Sequence, residues 1–133
     1  CTIKFINDTK YVVKNDDFTI ITVEHGKNPC GEKYAYIVYP SEEINNNIEI
    51  IENSSTVQAV KNNKLDMAQF VFWGAGQCKN VSVSESCIII ISRDRIAACD
   101  PTHKNRIISI KIGEKDYEFD FRGTNGKTIE RDK

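Results

Sequence analysis

No excess of charge of either sign marks this chain. Its 133 residues carry 18 lysines and arginines against 19 aspartates and glutamates, a formal net charge of −1. A protein that tracks a phosphate backbone needs a basic field, so nucleic acid is not expected as a partner. The same balance argues against broad electrostatic capture of a long polyanion and leaves that task to local patches. Long apolar runs are missing too. Runs such as residues 88–91 are far short of the roughly 20 apolar residues that a helical membrane span requires, so no such span is expected. No leader segment is visible at the start; either it was removed or the chain is an internal piece.

Closely spaced metal-ligand pairs are a further absence. The five cysteines, Cys1, Cys30, Cys78, Cys87 and Cys99, form no C-x-x-C pair, so neither a metal site nor a cofactor is expected. The segment Trp73-Gly74-Ala75-Gly76 lacks the Gly-Lys and helix that a phosphate loop needs. No internal repeat or low-complexity tract occurs. Nor does any ten-residue stretch carry a 3.6-residue apolar period; residues 65–72 come nearest, but they are few and end in aromatics.

What is present is strand after strand. Residues 10–13, 18–24, 34–39, 48–52, 56–61 and 65–72 are rich in Val, Ile, Thr and aromatics, which suit a pleated, half-buried surface. Residues 81–83, 87–91 and 96–99 continue the series. Residues 106–112 and 117–121 form the clearest hairpin, with Ile108, Ile110 and Ile112 on one face against Tyr117, Phe119 and Phe121. Residues 61–64 read as a tight turn and 122–133 as a frayed polar tail. The fold expected is all-β: an antiparallel β-sandwich, or stacked antiparallel sheets, with little helix. The two glycines in residues 73–77 suggest a break. It divides the chain into a sandwich segment at 1–76 and a small antiparallel unit at 77–133, or lies inside one compact domain.

Cysteines together with the sequons at Asn7, Asn53 and Asn80 lean toward a secreted, extracellular, disulfide-bonded glycoprotein. A hairpin turn centred on Arg93 would set Cys87 directly opposite Cys99, within disulfide reach. Cys87–Cys99 is therefore the expected bond, with Cys30–Cys78 as the residual pair; the competing assignment is four small buried hydrophobes. Cys1 is left over. It could be a remnant of cloning, a bacterial lipoprotein cysteine, or half of an intermolecular bond that drives self-association.

The stretch His25-Gly26-Lys27-Asn28-Pro29, followed by Tyr34-Ala35-Tyr36-Ile37-Val38-Tyr39-Pro40 and Ser41-Glu42-Glu43, carries a more specific signal. So do Ile48-Glu49-Ile50-Ile51-Glu52-Asn53, Val57-Gln58-Ala59-Val60, and the turn Asp100-Pro101-Thr102. In this order they resemble the C-terminal part of polysaccharide lyase family 8, the hyaluronate and chondroitin lyases. Residues 68–73 resemble that family's N-F-W-like segment, from which Gln69 and Val71 depart. The resemblance spans residues 18–121 and implies the end of a β supersandwich plus a small C-terminal β domain. The family's catalytic Asn, His, Tyr and Arg lie in a helical part that no segment here resembles. No catalytic residue is carried over, and this chain alone is not expected to be an enzyme.

Two chemical readings compete for the remaining residues. Tyr34 and Tyr36 point to the same strand face, and with Trp73 and His25 they offer an aromatic platform for sugars; the alternative is that the stripe is core. His25 is the only tempting base for β-elimination, against a plain turn histidine. Asp100 is expected to cap its turn rather than to pair with His103. Two function classes follow. One is a non-catalytic module that supports a missing catalytic domain or binds an anionic, glycosaminoglycan-type polysaccharide. The other is a stand-alone secreted structural or protein-interaction protein reusing the same module.

Overall fold

A computed structural model describes residues 2–5, 10–15, 19–39 and 47–133. Cys1 and Asn7 lie outside the described residues, as do residues 41–46. The chain falls into two compact units, Cys1–Asn45 and Asn46–Lys133.

Among the described residues the first unit holds two antiparallel ribbons. β1 (Thr2–Phe5) pairs with β4 (Tyr36–Tyr39), and β2 (Tyr11–Asn15) pairs with β3 (Thr19–Val23). Alternation sets their faces: Ile21 and Val23 are half-buried while Ile20 and Thr22 are exposed. β1 was not foreseen, because four residues with one lysine give almost no period to read.

The second unit is a sandwich. Its larger sheet runs β14-β11-β10-β7-β6-β5, built from β5 (Ile48–Asn53), β6 (Val57–Asn62), β7 (Met67–Phe72), β10 (Cys87–Ile91), β11 (Arg95–Cys99) and β14 (Ile129–Asp132). The smaller runs β13-β12-β9-β8, built from β8 (Gly76–Cys78), β9 (Val81–Val83), β12 (Ile107–Ile112) and β13 (Lys115–Asp120). The boundary read at residue 76 lies inside this unit, and strands from both sides of it share the larger sheet. Among the described residues no helix occurs, so the all-β antiparallel expectation holds.

The core forms where inward faces meet. Across the larger sheet, Ala59 stands opposite Phe70, Phe70 opposite Ile89, Ile89 opposite Ala98, and Ala98 opposite Ile129. Ile108, Ile110 and Phe119 answer from the smaller sheet and are completely buried. Burying each such side chain contributes about 1.5–3 kcal/mol. A bulge between Ile50 and Glu52 inserts Ile51 and turns it toward this core, an adjustment a strict two-residue period cannot make.

Three expectations are corrected by this arrangement. The tail is not frayed: β14 pairs with β11 as an edge strand, Ile129 packs on the core and the Arg131 guanidinium lies 5.2 Å from the centre of the Phe119 ring. The glycine-containing break is partly strand, because Gly76 stands opposite Val83. The disulfide pairs are absent: Cys30, Cys78, Cys87 and Cys99 are all free thiols. For Cys87–Cys99 the reason is register. Cys99 stands opposite Ile88, one residue away from the expected pairing, so the two thiols leave opposite faces of the sheet.

Candidate functional site

The first unit assembles three of the four sugar-binding candidates. Tyr34 and Tyr36 stand two residues apart on one face, their ring centres 6.3 Å apart and their planes within 4° of parallel. The His25 ring lies 5.6 Å from Tyr34, and Phe5 lies 6.0 Å from Tyr36. Tyr11 stacks behind Phe5 at 4.6 Å. Together with Ile3, Thr19, Thr22 and the half-buried Ile21 and Val23, the rings of Phe5, His25, Tyr34 and Tyr36 line a cleft of about 570 Å³.

The exposure of these rings differs from that of the core aromatics. Phe70 and Phe72 share the same i, i+2 stacking, at 6.1 Å and 13°, and are buried. Tyr34 and Tyr36 remain 47% and 53% exposed. Their stripe is surface in this unit, with part of each ring exposed. The positions arise locally. Asn28, Gly26 and Gly31 all take positive φ, coiling residues 24–33 back so that His25 meets Tyr34. Phe5 escaped the sequence reading because it sits on the unforeseen β1.

Trp73 belongs to the second unit. It follows β7, is 63% exposed, and its backbone N–H donates to the Thr56 carbonyl at 3.0 Å. Asn80 is exposed on the turn between β8 and β9, and Asn53 ends β5 half-buried.

Catalytic arrangements find little material. The carboxylate of Asp100 accepts from Thr102 N–H at 2.9 Å, Thr102 Oγ1 at 2.6 Å and Lys104 N–H at 3.1 Å, capping its turn as expected. Burial pushes this carboxyl up, but the Thr102 hydroxyl and amide, the Arg106 guanidinium and the Lys104 amide together hold it below its ordinary range. Arg106 then spans to Glu85 at 2.6 Å and to Ser86 Oγ at 2.9 Å. This network was not foreseen, because Glu85 and Arg106 are far apart in sequence. The His103 ring lies against Gly126. The buried thiols are not activated: burial, reinforced by Cys99, pushes Cys87 up to about 12. Burial raises Cys78 and Cys99 as well. Among the described residues no group of three or more His, Cys, Asp or Glu is placed to hold a metal ion.

Comparison with known proteins agrees with the resemblance read from the sequence. The family model described as polysaccharide lyase family 8, C-terminal beta-sandwich domain, matches residues 49–109. Hyaluronate lyase HylB of Enterococcus faecalis is 26% identical over 95% of this chain, and chondroitinase-AC of Pedobacter heparinus is 29% identical over 78%. The chain spans only 14% and 17% of their respective lengths. A Paenibacillus xanthan lyase structure superposes with a TM-score of 0.74 at 20% identity, covering 84% of this chain and 14% of that one, which establishes the shared fold. The match to the C-terminal β region of family 8 therefore holds, and it falls on the β-sandwich.

Proposed function

We propose that this chain is a non-catalytic accessory module of a secreted polysaccharide lyase, and that the cleft in its first unit holds a glycosaminoglycan-type chain. The observation that carries this reading is the parallel, half-exposed pair Tyr34 and Tyr36 on the wall of the cleft, with His25 against one ring and Phe5 against the other. Stacked aromatic faces match the apolar C–H faces of pyranose rings, and Thr19 and Thr22 in the cleft lining supply hydrogen bonds. The names of the two relatives, a hyaluronate lyase and a chondroitinase, supply the substrate class.

A supporting role is consistent with the rest of the first unit. Tyr11, Val12, Val13 and Ile20 are all exposed on a two-stranded ribbon, and a surface of this kind suits burial against a larger protein. Titration calorimetry with hyaluronan and chondroitin oligosaccharides tests the binding. We expect weak affinity from the wild type, lost roughly tenfold on Tyr34→Ala or Tyr36→Ala, since each stacked ring contributes on the order of 1 kcal/mol or more. Ultraviolet detection of the unsaturated uronate product should show no turnover. Absence of binding, or clear lyase activity from the chain alone, overturns the reading.

A further inference from the structure

The two sheets of the second unit part at one end and leave a mouth of about 370 Å³. Its floor is apolar: Ile51, Ala68, Phe70, Val81, Ile91 and Ile112. Its rim carries three lysines, Lys61, Lys79 and Lys133, against two acids, Glu49 and Asp66. Both acids already have partners. Asp66 lies 3.9 Å from Lys61 Nζ, and Glu49 accepts from Asn63 Nδ2 at 3.5 Å. Among the described residues Lys79 and Lys133 form no ion pair.

These two lysines stand on anchored backbone from different sheets. Lys79 sits at φ +53 in the turn between β8 and β9, where its carbonyl accepts from Gln77 Nε2 at 3.1 Å. The neighbouring Asn80 carbonyl accepts from Gly113 N–H at 2.8 Å. Lys133 follows β14, and its N–H donates to the Asp94 carbonyl at 2.9 Å. We propose that this mouth binds a small organic carboxylate about the size of one pyranose ring, its carboxylate held by Lys79 and Lys133 and its body over the apolar floor. Size and charge both point this way. The volume lies at the small end of ligand pockets, roughly 300–1,000 Å³. Two ammonium groups with no ion pair among the described residues, at a mouth with an apolar lining, complement an anion with an apolar face. The site is separate from the tyrosine cleft and stands without it.

Residue-resolved amide NMR on the full chain tests the proposal, with glucuronate as probe and glucose as control. The two sugars differ only in the carboxylate. The backbone signals of Lys79, Asn80, Ser92 and Lys133 should move with glucuronate and not with glucose, and the response should weaken with added salt. Lys79→Gln and Lys133→Gln should each weaken binding roughly fivefold to tenfold, while signals from the core stay where they are. Unmoved signals with glucuronate, equal movement with glucose, or undiminished binding in both variants would each overturn the proposal. Movement confined to Tyr34 and Tyr36 would place the ligand in the aromatic cleft and would count against this site alone.

Discussion

Replacing Asp100 with alanine removes more than one side chain. The carboxylate is 1% exposed and takes hydrogen bonds from two backbone amides and one hydroxyl, while Arg106 Nε lies 3.6 Å away. Alanine would leave the Thr102 and Lys104 amides without their acceptor, at about 1 kcal/mol each or more. It would also take one of two acidic partners from the mostly buried Arg106. Breaking a buried pair outright costs about 3–5 kcal/mol. Arg106 keeps Glu85 at 2.6 Å, so only a part of that, about 1 kcal/mol, goes with Asp100, and with the two amides the total loss should be near 3 kcal/mol. In urea unfolding, with a slope of about 1.5 kcal/mol/M, the midpoint should drop by roughly 2 M with the slope unchanged. Asp100→Asn keeps the shape and one acceptor and should lose about half as much. The pH dependence supplies an internal check. The folded carboxyl titrates below its unfolded value, so its stabilisation is present above the unfolded pKa and is lost as pH falls through the folded one. The gap between wild type and Asp100→Asn should therefore narrow below about pH 4. A loss under about 1 kcal/mol for Asp100→Ala at neutral pH, or a gap that widens in acid, would refute the network's role.

Other perturbations have equally definite outcomes. Phe119→Ala empties a completely buried position between the sheets and should cost about 3–5 kcal/mol by chemical denaturation. Gly126→Ala should destabilise by about 1–3 kcal/mol, because the residue has φ +78 and an added Cβ would meet His103 Cε1 and Nε2 at 2.6 Å. His103→Gly in the same chain should recover part of that loss. Iodoacetamide at pH 8 should alkylate exposed Cys30 first and leave Cys87 untouched until urea unfolds the chain, as a thiol titrating at about 12 in a sealed core requires.

The second unit was the more legible half of the molecule. Strands such as Val81–Val83 and Cys87–Ile91 have the limits read from β-branched runs, since their inward faces repeat with a period of two. In the hairpin of β12 and β13 the residues expected to face one another do so, with Ile108 opposite Phe119 and Ile110 opposite Tyr117. What escaped was set by tertiary contact. β14 reads as a polar tail because Ile129 is its one apolar residue, and β8 is a short, glycine-led strand whose pairing with β9 decides it. The disulfide expectation failed by a single residue of register. Turn residues 92–95 close on Arg95, whose carbonyl takes the Ser92 N–H at 2.9 Å, and this sets Ile91 opposite Ile96. At the candidate site, sequence showed that Tyr34 and Tyr36 share a face, since two-residue spacing guarantees it. It could not show that His25 and Phe5 would join them, because a glycine-rich loop and a separate strand carry those rings there.

The most direct measurement is a crystal structure of the chain with a hyaluronan oligosaccharide. The account predicts sugar rings lying across Tyr34 and Tyr36 in the cleft beside His25 and Phe5, with every glycosidic bond intact. An empty cleft at saturating oligosaccharide, or a cleaved, unsaturated product bound to the chain, would contradict it.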